Sequence, residues 1–547
     1  MGAATGTRSF WAWGYEEQLP DEEARTGLGQ AVAGLLGIAA RPPRPLPRFT
    51  EGVLPPPRCA IPAKLADFAT ILPHERALHT YGKGFCDLLR AFSLDFAPAP
   101  DFVLLPRDED DVAAALAECS RLGIAVIPFG GGTSVVGGVE AELPQGAQYA
   151  GVASLDLRRL DRVLEVEPTS RAARIQAGVL GPALEAQLLP HDLTLRHFPQ
   201  SFEFSTLGGW LATRAGGHFA TLYTHIDDLC ESVRVVTPSG VIETRRLPAS
   251  GAGPAPERWL LGSEGAFGVF TEAWMRLQRR PRWRSSASVS FASWDAAVEA
   301  VRAVAQSGLY PSNCRLLDAG EALLHGVAAT FGQPVLLLGF ESADHPVAEP
   351  LARALALCAE HGGVCPRGAI HRESGERGSD GSAESWRQAF FAAPYRQSAL
   401  LSLGIMADTF ETACTWDRFP ALHAAVRSAV EGELKERCGA GVVTLRFTHV
   451  YPDGPAPYFT FLAPLPAEAV SDPVAAAECW WAVKRAASDA LIQSGGTITH
   501  HHAVGRKHRP WYERERAPLF GQALAAVKRT LDPAWVLNPG VLLEKEQ

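Results

Sequence analysis

Three features are missing from this sequence, and each absence excludes a class of protein. No run approaches the ~20 apolar residues that a membrane-spanning helix needs. The ten cysteines, scattered from Cys59 to Cys479, include no CxxC pair, which disfavours a structural zinc site or a disulfide framework and fits reduced, packed thiols. Positive charge is not in excess either. The net charge of -9 and the pI near 6.0 argue against a general nucleic-acid binder.

The order of apolar and polar residues is typical of an α/β protein with two large domains. With 547 residues, 47% of them hydrophobic, the chain can bury more than one core. An apolar stretch and a proline-rich linker predict a helical arm at the N-terminus. Strand, helix and strand follow over residues 101–106, 108–122 and 124–128, and the pattern restarts at Arg282 with 285–291, 294–306 and 335–340. The polar, glycine-rich residues 366–384 are predicted to form a surface loop.

A glycine-rich stretch, residues 128–138, directly follows one of these predicted strands. Glycines accept positive φ and let the backbone approach a pyrophosphate, while hydroxyl groups add donors. The spacing matches neither GxGxxG nor GxxxxGK[ST], so the dinucleotide-binding Rossmann motif and the P-loop are disfavoured. Alone, the stretch could equally be an ordinary glycine-rich turn. Its candidate phosphate-binding residues are Pro128, Gly130, Gly131, Gly132, Thr133, Ser134, Gly137 and Gly138.

Three further segments, residues 204–210, 213–217 and 262–269, decide between these interpretations. Together, in this order, the four segments resemble the FAD domain of the vanillyl-alcohol oxidase (PCMH-type) flavoproteins. Within that superfamily the likeness is strongest to the alkylglycerone-phosphate synthases (alkyldihydroxyacetonephosphate synthases). It extends over nearly the whole chain, including residues 13–15, 79–83 and 410–418.

The resemblance implies an α/β (α+β) fold with a two-subdomain PCMH-type FAD-binding domain, an α/β cap domain for the substrate and the helical arm. The expected division is residues 1–57 for the arm and linker, 58–281 for the FAD domain, 282–500 for the cap, and 501–547 for a segment returning to the FAD domain. The first glycine loop contains no histidine for a covalent tether, so non-covalent FAD is expected. Beyond that loop, the implied FAD contacts are Ser201, Ser205, Thr206, Gly208, Gly209, Thr213, Arg214, Gly216, Asp227, Glu264, Gly265, Gly268 and Val269.

A histidine triplet, His500, His501 and His502, stands in a segment predicted to be extended. On a strand, His500 and His502 would share one face and His501 would take the other. A solvated tract, buried histidines bonded to the backbone, and a metal site are the alternatives. An H-x-H pair can ligate zinc, but spacing reveals no third ligand, and we predict no metal. The synthase resemblance places a matching triplet in the active site.

Four other residues become candidates through the same resemblance. Tyr458 precedes an alternating aromatic strand, where packing in the core is the alternative, and is the candidate proton abstractor. A phenol with a usual pKa near ~10 needs that pKa lowered or a neighbouring imidazole, which His501 or His502 could supply. His197 matches a further active-site histidine. Arg315 and Arg396 match arginines suited to a phosphate ester, although both could equally form interior ion pairs.

The implied reaction exchanges the acyl chain of acyl-dihydroxyacetone phosphate for a long-chain alcohol, through an adduct at flavin N5 and without net redox change. The C-terminal residues 532–540 instead resemble FAD-linked 2-hydroxy-acid dehydrogenases, which gives an oxidoreductase as the alternative, with a histidine base and a metal at the His500/His502 pair. A flavin-retaining assembly protein without turnover is a third interpretation. The expected partners are lipid-like small molecules and no nucleic acid, with room for peripheral membrane contact and a homodimer. A cytoplasmic location is expected.

Overall fold

The computed structural model describes residues 6–219, 224–327, 332–374 and 381–545, and of residues 381–391 it describes the backbone alone. Helices and strands intermix along the whole chain, which confirms the predicted α/β class. The helices are α1 (Glu22–Leu36), α2 (Pro73–Leu78), α3 (Phe85–Phe92), α4 (Glu109–Leu122), α5 (Gly181–Leu188), α6 (Leu207–Thr213), α7 (Glu257–Leu260), α8 (Trp294–Gln306), α9 (Ala319–Leu324), α10 (Ala348–Glu360), α11 (Gly381–Ser402), α12 (Phe419–Cys438), α13 (Ala467–Ser471), α14 (Pro473–Gln493), α15 (Arg509–Glu515) and α16 (Pro518–Leu531).

Eighteen strands lie in the described part of the chain. They are β1 (Ala69–Thr70), β2 (Phe102–Leu104), β3 (Ile124–Phe129), β4 (Gly151–Asp156), β5 (Val163–Glu167), β6 (Ala172–Gln176), β7 (Leu193–Thr194), β8 (Cys230–Thr237), β9 (Gly240–Glu243), β10 (Val269–Arg276), β11 (Gln278–Arg279), β12 (Trp283–Ser290), β13 (Asn313–Leu317), β14 (Val335–Ser342), β15 (Ile370–Glu373), β16 (Ile405–Glu411), β17 (Val442–Val450) and β18 (Pro455–Pro464).

Helix ends fall where the sequence places capping residues. The Asp108 side chain accepts a hydrogen bond from the backbone N–H of Asp111 and begins α4, which ends at Gly123 with φ of 67°. Ser293 caps α8 in the same way, through the N–H of Ala296. Because α8 buries one apolar face against the following sheet, periodicity alone predicted its bounds, residues 294–306, correctly.

The first half of the chain forms two sheets that hold the glycine-rich loop. In the four-stranded sheet, with order β1-β2-β4-β3, strands β2 and β3 pair in parallel with β4. The five-stranded sheet, with order β5-β6-β10-β8-β9, is antiparallel. Both sheets contribute to one apolar cluster, which also takes in α4, α6 and the C-terminal residues Trp535, Leu537 and Val541. The glycine-rich loop leaves β3 at the carboxyl end of its parallel pair, where ligands bind in α/β sheets.

The second half forms a seven-stranded antiparallel sheet, with order β15-β12-β14-β13-β17-β18-β16. Helices α8, α10, α12 and α14 pack on it in a second apolar cluster. The N-terminal arm joins this cluster through Phe10, Trp11 and Trp13. The arm is therefore fixed by the core of the second half, and it brings Trp13 to the cavity described below.

The expected surface loop over residues 366–384 is only partly a loop. It contains β15 and the first turn of α11, and β15 pairs with β12 at the edge of the large sheet. Sequence missed this strand because its four residues show no buried alternation. Residues 375–380 of this prediction lie outside the described residues. None of the helices that the structure describes is long and apolar enough to cross a bilayer.

Candidate active site

A cavity of about 320 Å³ lies where the glycine-rich loop faces the seven-stranded sheet. The loop and the stretch around α6 form one wall, and β16, β17 and β18 contribute to the other together with His501 and His502. Most of the candidate residues meet here, although they come from both halves of the chain. Those that line the cavity are Gly130, Gly131, Gly132, Thr133, Ser134, Ser201, Ser205, Thr206, Gly209, Thr213, Gly216, Arg315, Arg396, Tyr458, His501 and His502.

A smaller cavity of about 80 Å³ shares part of this lining and extends behind the loop. It accounts for most of the remaining FAD candidates, namely Pro128, Gly138, Gly208, Glu264, Gly265, Gly268 and Val269. The buried Glu264 carboxylate accepts the N–H groups of Val504 and Gly505, each at 2.9 Å, and so ties the C-terminal segment to the loop. Burial raises the pKa of Glu264 to about 7, against the opposing effect of these two hydrogen bonds.

Close backbone approach requires glycine in the loop. A Cβ at Gly131 would overlap the carbonyl of Phe204, and one at Gly130 would meet the Thr206 hydroxyl. The loop is also braced from within, because the Ser134 hydroxyl accepts the N–H of Gly138 at 2.9 Å. The two segments thus pack backbone to backbone, which leaves no room for side chains between them.

Replacing Gly131 by alanine is therefore expected to push the loop away from residues 204–206. The overlap with backbone should destabilise the protein by about 1–3 kcal/mol and remove most of the bound flavin. Flavin absorbance per protein and the thermal midpoint measure both effects. Gly251→Ala is the matched control, because a Cβ there meets nothing within 4 Å. Full flavin content in Gly131→Ala would contradict a role for this loop in FAD binding.

Three FAD candidates line neither cavity. Asp227 forms ion pairs with Arg214 at 2.7 Å and with Arg258 at 3.1 Å, so its carboxylate is held by arginines. Arg214 ends α6 in the left-handed conformation. Gly137 has φ of 77° and turns the loop beside Glu140. These residues lie around the wall formed by the glycine-rich loop and α6, but not on the inner surface of either cavity.

The histidine triplet is not a strand, so the predicted alternation of its side chains is wrong. Residues 499–502 instead wrap around the buried carboxylate of Glu411. This carboxylate accepts the backbone N–H of His500 at 2.6 Å, of His501 at 3.1 Å and of His502 at 2.9 Å, and the hydroxyl of Thr499 at 2.6 Å. Glu411 lies at the end of β16, far from the triplet in sequence. No local sequence pattern therefore predicts that its carboxylate binds the triplet.

Tyr458 extends from β18 into the cavity, directly opposite Glu411 in the β16–β18 pairing. Its hydroxyl donates to Thr409 Oγ1 at 2.9 Å. The His501 ring is nearly parallel to the Tyr458 ring, at 5.9 Å between centroids, and the His502 ring meets it edge-on at 5.4 Å. Burial raises the pKa of Tyr458, while the positive charge of Arg446 works in the opposite direction.

Arg446 is a site residue that sequence reasoning missed. Its guanidinium carbon lies 3.8 Å from the centroid of the Tyr458 ring, and its charge is balanced by a buried ion pair with Glu321. The same carboxylate accepts the Thr444 hydroxyl at 2.5 Å. Arg446 stands in an alternating strand, β17, whose pattern signals only a buried face, so the sequence held no specific signal for it.

His197 is buried behind the cavity rather than on its surface. Its ring lies 5.0 Å from that of Trp210, and neither ring nitrogen has a hydrogen-bond partner among the described residues. Burial lowers its pKa to about 3, so the imidazole is neutral. A Cβ at Gly217 would meet His197 Nδ1 at 3.0 Å, so this ring lies directly against Gly217, a residue that lines the cavity.

The two candidate arginines differ in environment. Arg315 is 1% exposed, and one of its nitrogens donates to the His218 carbonyl at 3.0 Å. Burial, with the neighbouring charge of Arg446, lowers its pKa to about 9, so it remains charged at neutral pH. Arg396, on α11, is exposed and also lines the cavity.

Four imidazoles meet beside the cavity. His449, His500 and His501 have ring nitrogens within 4.8 Å of one another, a spacing that could hold a metal ion. The H-x-H pair expected from sequence, His500 and His502, is not the one that converges. His225 Nε2 lies 3.1 Å from His500 Nε2. Neither His449 nor His225 was singled out from the sequence, because each is a lone histidine in a segment without a motif.

Comparisons with known proteins agree with this geometry. Residues 100–245 match the family described as FAD binding domain, and residues 280–542 match FAD linked oxidases, C-terminal domain. The chain is 29% identical to alkyldihydroxyacetonephosphate synthase of Trypanosoma brucei brucei, over 86% of this chain and 77% of the relative, and 28% identical to that of Dictyostelium discoideum, over 96% and 86%. The chain is an alkyldihydroxyacetonephosphate synthase-like FAD flavoprotein. A solved alkyldihydroxyacetonephosphate synthase shares its fold, with a TM-score of 0.77 at 23% identity over 97% of this chain and 98% of that one.

The residues of this synthase-like flavoprotein fit FAD. Side-chain-free backbone at Gly130 and Gly131 borders the main cavity, the Thr133 and Ser134 hydroxyls add donors, and the second cavity continues behind the loop. Trp13, Thr409 and Arg446 complete the lining opposite the loop. The protein is an FAD-dependent enzyme, and Tyr458, His501 and His502 line the same cavity as its glycine-rich loop.

Proposed function

We propose that this enzyme exchanges the acyl chain of acyl-dihydroxyacetone phosphate for a long-chain alcohol, as the names of its relatives suggest for them. The observation that supports this most directly is a single cavity. It brings the candidate FAD-binding glycine loop together with Tyr458, two histidines of the triplet and three arginines. A phosphate ester, an enolisable ketone and a lipid chain need a cation, a base and an apolar wall, and all three are present.

The proposed proton removal is assigned to Tyr458 together with a triplet imidazole. Because burial raises the pKa of Tyr458, a standing phenolate is disfavoured and its proton must pass to a neighbour. Burial lowers the pKa of His501 well below its usual value, so this imidazole is neutral and can accept a proton. When bound, oxidised FAD supplies the electrophile of this exchange, which needs no net transfer of electrons.

The cavity walls serve orientation and the exclusion of water. Apolar side chains such as Trp13, Leu400 and Leu462 border the space beside the polar residues, and they suit a hydrocarbon chain. Arg315, Arg396 and Arg446 line the cavity and supply the positive charge that would hold a phosphate. Separate contacts for the phosphate and for the chain would fix which carbon reaches the base.

Arg396→Ala is expected to raise KM for the phosphate ester about 10–100-fold while changing kcat less, because it removes a charged contact to a group remote from the reacting carbon. Initial rates over a range of substrate concentrations separate the two constants. Arg353→Ala, which removes an exposed arginine paired with Glu360, is the matched control. An unchanged KM in Arg396→Ala would remove Arg396 from the proposed phosphate site.

One observation favours a second candidate function. Convergence of His449, His500 and His501 would suit the metal-assisted 2-hydroxy-acid oxidation considered from the sequence, with a histidine as base. The names of the two synthase relatives favour the exchange reaction instead.

Anaerobic mixing distinguishes the two functions. Acyl-dihydroxyacetone phosphate is added to the flavoprotein, followed by a long-chain alcohol, while flavin absorbance, fatty acid and ether product are measured. Bleaching with fatty-acid release, then recovery with ether formation and no electron acceptor, is the expected result. The opposite result is a flavin that does not respond to this substrate but is reduced by a 2-hydroxy acid and reoxidised only by an electron acceptor. That result would establish the oxidoreductase function.

Peripheral membrane contact, a homodimer and a cytoplasmic location are also part of the proposal. An exposed apolar cluster of Trp259, Leu519 and Phe520 supports membrane contact, with 38%, 77% and 47% of the respective residues exposed. The Trp259 and Phe520 rings lie 6.2 Å apart. Such a cluster suits insertion among lipid headgroups, where substrates of this class reside.

A further inference from the structure

The proposed exchange produces a proton that has to leave a buried site. The bond between the dihydroxyacetone carbon and the ester oxygen breaks, and the acyl group departs with that oxygen as a carboxylate. The new C–O bond forms to the alcohol oxygen, whose hydroxyl hydrogen is released. Because a carboxylic acid with a pKa of ~4–5 is ionised at neutral pH, each turnover yields one H⁺. With lipid in the cavity, water has little access to the reacting groups.

We propose that His501, His500 and His225 form a proton relay from the cavity to the protein surface, an inference that rests on the proposed function. His501 lines the cavity. Its Nδ1 lies 3.0 Å from Nδ1 of His500, and Nε2 of His500 lies 3.1 Å from Nε2 of His225. His225 is half-buried and pairs through its backbone with Gly216, which lines the cavity.

Hydrogen-bond chemistry fixes the direction of this chain. The Arg214 carbonyl, 2.9 Å from His225 Nδ1, can only accept, so Nδ1 carries the hydrogen and Nε2 of neutral His225 presents a lone pair to His500. If His500 donates from Nε2, its Nδ1 is the acceptor for His501 Nδ1–H. Nε2 of His501 is then the nitrogen free to take a proton. His501 and His500 can thus each accept a proton on one side and donate one on the other, and His225 releases the proton to water from Nδ1, whose hydrogen bond to the Arg214 carbonyl is exposed.

The surroundings keep the relay neutral at rest. Burial lowers the pKa of His500 to about 3 and that of His501 well below its usual value. The charged and titratable groups near the chain are Glu411, Arg214, Arg315, His449, His502 and Tyr451. Tyr451 OH lies 2.6 Å from His500 Nε2, so this nitrogen can exchange its hydrogen bond between Tyr451 and His225. His449 donates from Nε2 to the Gly217 carbonyl at 3.0 Å and stays outside the relay.

The test follows proton release with a pH indicator in weak buffer, alongside ether formation. The wild type should release one proton per ether formed. His225→Ala should bind flavin normally but turn over about 10–100-fold more slowly, and added imidazole should restore most of the rate by filling the gap at the surface. His345→Gln is the control, because that histidine is exposed and contacts Asp344.

Each other outcome overturns the relay in a recognisable way. A His225→Ala variant as fast as the wild type, or a slow variant that imidazole does not restore, overturns the relay alone and leaves the exchange reaction standing. A wild-type enzyme that forms no ether at all overturns the proposed function, and the relay that depends on it fails for that separate reason.

Discussion

Tyr458→Phe is expected to lower the rate of ether formation by about 10²–10⁴-fold, the usual contribution of a positioned acid-base group. The change removes one hydroxyl and, with it, the hydrogen bond that this hydroxyl donates to Thr409 Oγ1 in the resting protein. The ring packing against Arg446, His501 and His502 is retained. A slower rate with a full flavin complement would therefore come from proton transfer rather than from an altered cavity.

Tyr149→Phe is the matched control for this prediction. Tyr149 also donates a single hydrogen bond, to the Trp535 carbonyl at 2.7 Å, and it lines neither cavity. The rate of ether formation by the Tyr149→Phe variant should stay within about twofold of the wild-type rate, since single substitutions away from the site usually have small effects. If Tyr458→Phe and Tyr149→Phe behave alike, the proton abstractor must be sought among the histidines instead.

The pH dependence of the wild type gives an independent view of the same residue. Burial raises the pKa of Tyr458, and the imidazoles that could take its proton are neutral because burial lowers their pKa. Turnover should therefore be retained to well below about pH 6.5, the usual imidazole range, and decline only where the buried imidazoles become protonated, which initial rates measured from neutral to acid pH will test.

The features that could be predicted from the sequence are those that depend on residues close together in the chain. Helix α8 and its cap, and the strand that leads into the glycine loop, depend on neighbouring residues, so periodicity and capping chemistry were sufficient. The glycine-rich loop could also be predicted, because the backbone that would approach a phosphate belongs to consecutive residues. Family resemblance then supplied Tyr458, Arg315 and Arg396, which the fold brings to one cavity.

What sequence missed depends on contacts between distant segments. The histidine triplet was expected to be a strand, but its conformation is set by the Glu411 carboxylate at the end of the edge strand β16. His449 and His225 meet His500 only because β17 and the segment after α6 converge there. Arg446 over Tyr458 likewise results from the β17–β18 pairing, in which the two residues are direct partners. No spacing rule reveals such encounters.

Glu411→Gln is expected to have the second largest effect, on stability and activity together. The carboxylate accepts hydrogen bonds from three backbone N–H groups and one hydroxyl. In glutamine one of the two oxygens is replaced by an NH₂ group, which donates and cannot accept these hydrogen bonds. Leaving buried donors unsatisfied should cost about 3 kcal/mol and displace the triplet from Tyr458. The expected results are a lower thermal midpoint, retained flavin and a decrease in ether formation exceeding about 100-fold.

The pH dependence of the difference between wild type and variant identifies the charge as the cause. Burial opposes ionisation of Glu411, but the imidazoles of His501, His502 and His500, which become charged only as the pH falls into the acid range, and the Thr499 hydroxyl outweigh it and hold the pKa of this carboxyl well below its usual range. Since the unfolded pKa is ~4.3, the folded value is the lower one. The stabilisation is therefore fully present above about pH 5 and is lost as pH falls toward the folded pKa. The advantage of the wild type over Glu411→Gln should shrink in that acid range.

Glu185→Gln separates the role of Glu411 in the site from general stability. The Glu185 carboxylate also accepts a hydroxyl and a backbone N–H, from Thr194 at 2.8 Å and Leu195 at 3.0 Å, and it pairs with Arg280, but it lines neither cavity. This variant should lose stability and keep its rate per folded molecule. If Glu411→Gln also keeps its rate per folded molecule, the carboxylate stabilises the fold without positioning the histidines, and the triplet must hold its place beside Tyr458 through its own packing.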